Sequence, residues 1–224
     1  MVIILQYHWG LILMDRIKEE KEKIIEQMLM AIGEDTKREG LIDTPKRVVK
    51  MWNEIFRGYD KEQLPKVTTF KNGSDGIIYD QMIHDDGPFY SMCEHHMMPF
   101  IGSYFFAVIP HKEGKLLGLS KVARVVDYFS AKLQIQERLG HDIVKHLWKE
   151  LCIEVPNDVG DAVGVIEVRE PLAMGLVLEA EHLCKTMRGA KKKGKMRTTI
   201  LKGTFKTDPS ARAEFFGWVN NNRR

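Results

Sequence analysis

Apolar residues recur along this chain in two rhythms, and the switches between them mark the predicted elements. From Asp15 to Ile32, Ile17, Ile24, Ile25, Met28, Leu29 and Ile32 fall at helical spacing among Lys and Glu, which predicts an amphipathic helix. A second helix is predicted from Thr44-Pro45, a hydroxyl cap followed by proline at the first helical position. Val48, Val49, Trp52, Ile55 and Phe56 form its apolar face, and Gly58 is its stop. Asp60 to Gly76 is polar and rich in turn formers, so it reads as a connector. Strand patterns follow at Ile77–Ile83, Phe89–Cys93 and Ile101–Ile109.

The helical rhythm returns at Ser120, with Val122, Val125, Val126 and Phe129 facing inward. A longer helix is predicted from Ile135 to Leu151, where Ile135, Leu139, Ile143, Leu147 and Leu151 step by four. Two more strands are predicted at Ala162–Val168 and Gly175–Glu181, and another at Thr198–Lys206. Asp208-Pro209 opens a last helix that buries Phe215, Phe216 and Val219. These elements predict an α+β chain in which residues 14–60 form an N-terminal helical region and residues 61–224 the main domain. Residues 1–13 (MVIILQYHWGLIL) lack a basic n-region and a small-residue cleavage site and are too short to span a bilayer. They are expected to be a non-essential N-terminal extension, with the functional chain starting near Met14.

Composition adds bounds rather than identity. The 224 residues suffice for one sizeable core with a small appendage. A hydrophobic fraction of 44% and a charged fraction of 29% are ordinary for a soluble globular protein. A net charge of +3 permits an anionic ligand without demanding nucleic acid or membrane. Three cysteines, an odd number, argue against a disulfide framework and for a reducing, cytoplasmic setting.

The chemistry is concentrated in two short windows. Ser91-Met92-Cys93-Glu94-His95-His96 sets a thiol and an imidazole three apart at a turn between strands, and His182-Leu183-Cys184 lies far downstream. Together they hold two of the three cysteines and three of the eight histidines. Thiolate and imidazole are zinc donors, and three protein ligands would leave a position open for water. A buried cysteine beside satisfied histidines is the plainer reading, and residue types alone leave both open. Ser120, Lys121 and Arg124 collect at a helix start, where backbone N–H groups and cations suit phosphate. A capped surface helix with ordinary charges is the simpler account of them. The basic run Lys191 to Arg197 reads as a solvated face.

Taken in order, six motifs resemble the GTP cyclohydrolase I family. They are Thr44-Pro45-Lys46-Arg47-Val48, Phe89 to His96 with Pro99-Phe100-Ile101-Gly102, Gly118 to Asp127, Gln134 to Leu139, Glu179 to Cys184, and Met187-Arg188-Gly189. The resemblance implies the tunnelling fold, an antiparallel sheet with helices on one face plus the N-terminal helical pair. It implies a homodecamer of two pentameric rings with active sites at subunit interfaces, and no nucleic-acid or membrane partner. It implies conversion of GTP and water to 7,8-dihydroneopterin triphosphate and formate by water activated on Zn2+ and attacking purine C8. Under it, Cys93, His96 and Cys184 hold zinc, and His95 and His182 move protons. Glu137 pairs with the guanine edge, with Gln136 beside it. Ser120, Lys121, Arg124 and Arg188 meet the triphosphate, joined by Arg47 from an adjacent subunit.

Some stretches depart from the family's pattern. Asp86-Gly87-Pro88 is expected to bend or bulge its strand. The Ser/Thr-rich run after Arg188 is reduced to Thr198-Thr199, and Ala162–Pro171 is longer than the run the family usually carries before its His-x-Cys strand. Cys152 matches no functional position and is expected to fill the core. A nitrile reductase or an iron-dependent cyclohydrolase of the same fold is a rival, but the presence of both Cys-x-x-His and His-x-Cys favours zinc hydrolysis. A zinc-stabilised basic binding module is a second rival, and the Lys191–Arg197 run lacks the interleaved aromatics it needs.

Overall fold

The computed structural model describes residues 2–118, 120–156 and 166–223, with side chains described from residue 17 onward except those of Pro156 and Ile166. The chain divides into two compact units, residues 1–57 and 58–224.

In the first unit, α1 (Val2–Ala31) and α2 (Thr44–Ile55) pack as a helical pair. Ile25, Leu29 and Val49 form its buried centre, with Leu41, Val48 and Trp52 against them. The helix predicted from Asp15 begins much earlier, because the backbone of residues 2–13 continues the same helix. Pro45 sits in the first turn of α2 as expected, but Thr44 is its first residue and Asp43 its cap.

The second unit is organised by a five-stranded sheet in the order β5-β2-β3-β8-β9. Its members are β2 (Ile83–Cys93), β3 (Pro99–Ile109), β5 (Leu133–Gln134), β8 (Ala173–His182) and β9 (Lys195–Gly203). All neighbours are antiparallel except the short β2–β5 pair. Strand alternation splits the apolar residues between two faces. Tyr104, Phe106, Val108, Leu176, Leu178 and Ile200 face one core, closed by α3 (Lys121–Ser130) and α4 (Gln136–Leu151). Phe105, Ala107, Ala173 and Val177 face the other, closed by Phe205, Phe215 and Val219 of α6 (Thr204–Thr207) and α7 (Pro209–Asn221). Helices on one face only, the expectation from the resemblance, therefore describes α3 and α4 but not the C-terminal helices. The run Ala173–Ala180 is buried on both sides for this reason.

Four other expectations change. Asp86-Gly87-Pro88 neither bends nor bulges, and β2 pairs with β3 in one unbroken register from Ile83↔Val108 to Met92↔Pro99. Pro88 is tolerated because β5 covers the other edge of β2 only at Met92 and Cys93, so no ladder bond is lost there. Residues 77–82 form no strand. Asn72 takes the place of a ladder, its amide donating to the carbonyls of Tyr79 and His111 (2.7 and 3.0 Å) while Tyr79 N–H donates back (2.9 Å). Inside the expected connector, β1 (Thr69–Lys71) pairs with β4 (Lys115–Leu117). The strand predicted at Ala162–Val168 appears as β7 (Ile166–Arg169), paired with β6 (Ile153–Pro156), and residues 162–165 lie outside the described residues. Among the described residues no helix is long and apolar enough to cross a membrane.

Candidate metal centre and its surroundings

Two strand ends on one rim of the sheet supply the site. The first is the turn joining β2 to β3. Cys93 N–H donates to Met98 O (2.8 Å) and Cys93 O accepts from Met97 N–H (2.8 Å), so the chain reverses within a few residues. Met97 adopts φ 51°, the left-handed conformation such a reversal demands. Cys93 is buried, while His95 and His96 are exposed on the turn.

The second strand end is β8, which terminates at His182 and passes into the single turn α5 (Leu183–Thr186) that carries Cys184. Register brings the two ends together, since Phe100 of β3 lies opposite His182 of β8. Gly102, two residues on, lets the strands approach. A Cβ there would sit 1.8 Å from Glu179 O, inside the backbone of β8.

The resulting cluster has a definite geometry. The sulfurs of Cys93 and Cys184 are 3.8 Å apart, and both cysteines are free thiols. Nδ1 of His95 and Nδ1 of His96 each lie 3.9 Å from Cys93 Sγ. Ligand atoms of Cys93, His182 and Cys184 all fall within 4.8 Å of one another. Zn–S bonds of about 2.3 Å in a tetrahedron put two sulfurs about 3.8 Å apart, and Zn–N bonds of about 2.0 Å put sulfur and nitrogen about 3.5 Å apart. The donor set and the sulfur spacing therefore fit such an ion, with three imidazoles gathered where one is needed.

Electrostatics within the cluster disfavour two bare thiolates. Burial raises the Cys184 thiol above its ordinary value, and the neighbouring Cys93 raises it further, because two thiolates this close repel. Arg188 opposes that shift, which places its charge within electrostatic reach of the Cys184 sulfur. His182 is pushed below the usual histidine range by burial, partly offset by the carboxylate of Glu137.

The predicted residues distribute unevenly. Gln136 and Glu137 open α4 as adjacent residues and so point in different directions. Glu137 is exposed, whereas Gln136 is 1% exposed. The Gln136 amide donates to Leu178 O (3.0 Å) and Met196 O (3.1 Å), and its Oε1 lies 2.9 Å from His182 Nε2. Both of its N–H groups are thus engaged inside the protein. Ser120, Lys121 and Arg124 lie at the start of α3, with Leu119 beside them outside the described residues. Ser120 caps the helix by position only, since its hydroxyl makes no capping bond. No hydrogen bond joins these three residues to the cluster among the described residues. Arg47 belongs to the first unit, exposed on α2, and pairs with Asp43 (3.3 Å).

Two further supports were not anticipated from sequence. Arg138 of α4 donates to Glu94 and to Gln134 Oε1 (2.8 Å), and Glu94 N–H donates to Gln134 O (3.0 Å). This bonding ties the turn that carries Cys93 to α4, and the Arg138 guanidinium holds Glu94 below the usual carboxylate range. Phe100 stacks on His182 with ring centres 4.5 Å apart and the planes parallel. The i,i+4 spacing of Gln134 and Arg138 was a visible signal, but nothing local linked that pair to Glu94, 40 residues or more away.

A mostly antiparallel sheet in a chain of mixed α+β class thus carries two thiols and three imidazoles to one rim, a donor set that could hold a metal ion. The chain belongs to the GTP cyclohydrolase I family, whose sequence profile matches residues 21–220. It is similar to the GTP cyclohydrolase 1 of Caldanaerobacter subterraneus subsp. tengcongensis, 43% identical over 207 residues covering 92% of this chain and 98% of that protein. The GTP cyclohydrolase 1 of Thermoanaerobacter pseudethanolicus is 41% identical over 207 residues with the same coverage. That of Acetivibrio thermocellus is 42% identical over 205 residues, covering 91% of this chain and 97% of that protein.

Proposed function

We propose that this enzyme hydrolyses GTP, opening the purine at C8 to release formate and recyclising the product to 7,8-dihydroneopterin triphosphate. The observation that carries the reading is the meeting of Cys93 and Cys184, 3.8 Å apart, from motifs 91 residues apart in sequence. Family membership along residues 21–220 supports the same reaction.

In this reading Cys93, His96 and Cys184 hold a zinc ion. When bound, the ion supplies a Lewis acid that brings a water's pKa toward neutrality. The protein's own groups do the rest. His95 and His182 transfer protons, delivering one to the departing ring nitrogen and taking one up as the ring opens. Burial, opposed in part by Glu137, lowers the His182 pKa and so favours the neutral form, which can accept a proton. Glu137, exposed at the start of α4 and within electrostatic reach of His182, accepts from guanine's two N–H donors. Adenine presents no such pair, so base selection has a physical cause. Lys121, Arg124 and Arg188, with the Ser120 hydroxyl, meet the triphosphate, and Arg47 joins them from an adjacent subunit. The tunnelling fold, in a decamer of two pentamers, would close the sheet edges and enclose the ring-opened intermediate.

A second reading of the ligand set, with His182 in place of His96, is favoured by the mutual closeness of Cys93, His182 and Cys184. Zinc content decides between them: His96→Ala loses the ion under the first reading and His182→Ala under the second. The activity itself is tested by incubating zinc-loaded protein with GTP and following formate and the fluorescence of the oxidised pterin. Both are expected to appear together and to vanish after chelation. GTP left intact by fully loaded protein would overturn the assignment.

A further inference from the structure

We propose that Gln136 is a positioning residue that holds His182 as its Nε2–H tautomer, leaving Nδ1 as the atom through which His182 exchanges protons. The inference rests on the reading of the site just given, in which His182 is a proton-transfer group.

The assignment follows from what each neighbour can do. Leu178 O and Met196 O can only accept hydrogen bonds, and both meet the same atom of the Gln136 side chain, at 3.0 and 3.1 Å. That atom must be the NH2, since the reversed amide would set its oxygen against two carbonyls with no water to intervene. Gln136 is 1% exposed, so a reversed amide would also bury unpaired groups. The end facing His182 is then Oε1, an acceptor at 2.9 Å from Nε2. A neutral imidazole satisfies an acceptor only with its N–H, so the proton is on Nε2 and the lone pair on Nδ1.

The ring has little freedom to evade this. Phe100, itself fully buried, stacks parallel to it at 4.5 Å. Turning the ring over would put a C–H against Oε1 and forfeit the bond. Adjacent positions at the start of α4 thus divide the work. Glu137 is exposed for a ligand, while Gln136 turns inward and sets the state of the imidazole that acts on it. Gln136, placed beside the guanine edge by sequence resemblance, accordingly acts through His182 rather than on the nucleotide.

The test uses zinc-loaded, full-length protein labelled with 15N-histidine. Solid-state NMR at mildly alkaline pH, with the His182 signals identified by their loss in His182→Asn, reads the tautomer directly. Wild type is expected to show protonated Nε2 and unprotonated Nδ1. Gln136→Met, similar in size and without an acceptor oxygen, is expected to mix the tautomers and lower kcat about 10–100-fold while KM for GTP stays within about twofold. Gln136→Glu, whose second oxygen would face the carbonyls of Leu178 and Met196, is not expected to restore the wild-type tautomer. A proton on Nδ1 in the wild type overturns the proposal, and so does a Gln136→Met variant with raised KM and unchanged kcat. The wild-type spectrum decides the matter even where Gln136→Met fails to fold. Lack of GTP turnover by the wild type would sink the reading of the site, not the tautomer assignment, which is read without substrate.

Discussion

The turn at Cys93–His96 and the strand end at His182–Cys184 look alike as sequence, each a cysteine and a histidine within a few residues. In the folded protein they differ sharply. The turn presents His95 and His96 on an exposed reversal pinned through its backbone and through Glu94 to Arg138. The strand end presents one half-buried imidazole, fixed face-on by Phe100 and edge-on by Gln136. One region offers accessible rings, and the other a ring whose plane and proton are set by the core. The same residue types thus become different chemical tools according to how many of their neighbours are buried.

The largest effect should come from what the two regions share. Cys93→Ser and Cys184→Ser are each expected to lose bound zinc and turnover together, beyond the roughly 10²–10⁴-fold that removal of a proton-transfer group costs. Metal analysis beside formate release checks this, and a variant that kept zinc but lost activity would break the symmetry.

Next come the imidazoles, where the regions should part company. His95→Ala and His182→Ala are both expected to lower kcat by about 10²–10⁴-fold with zinc retained. His182→Ala should also destabilise the fold by about 1–3 kcal/mol, because it leaves the buried Oε1 of Gln136 without a donor. His95→Ala, on the exposed turn, should stay within about 0.5 kcal/mol. Chemical denaturation of the two variants measures the difference, and equal losses would erase it.

A smaller change is expected at Glu137, which lies by the strand end yet is exposed. Glu137→Ala should raise KM for GTP about 10–100-fold, the value of one or two charge-assisted hydrogen bonds, with the His182 environment intact. Unaltered GTP saturation would remove Glu137 from guanine recognition.

The smallest effect isolates burial from chemistry. His146 on α4 has its Nε2 buried without a hydrogen-bond partner among the described residues, and burial pushes its pKa down, opposed by Glu150 and helped by Lys149. Its folded pKa lies below its unfolded one, so the unfolded chain binds the extra proton first. Its stabilising contribution is complete above about pH 6.5 and is lost as pH falls through the lower, folded value. Melting temperature between about pH 5 and 8 should decline on the acid side, and less so in His146→Phe.

Much of this was legible in the sequence because it is local. The period of α3 and α4, the β-favouring run of β3, the Pro45 and Pro209 helix starts and the two cysteine-histidine windows are all features of residues close together along the chain. Where local reading failed, a distant group had intervened. Asn72 replaced a strand at residues 77–82 by bonding across to Tyr79 and His111, and an open edge let Pro88 remain in register. The C-terminal helices covered the second sheet face, which no periodicity can announce. Gln136 and Glu137 were inseparable as neighbours in sequence, and only their opposite burial divided them.

By itself, then, the sequence determined which donors exist, on what kind of element each would ride, and to which family the order of motifs belongs. Tertiary structure decided which donors meet: the β3–β8 register set Phe100 against His182 and left Cys184 beside Cys93. It also decided which imidazole carries its proton where, through carbonyls of β8 and β9 that bond to a helix start 42 and 60 residues away. Periodicity is a property of neighbours along the chain. Register, burial and tautomer are properties of neighbours across it, and those are fixed only when the sheet closes.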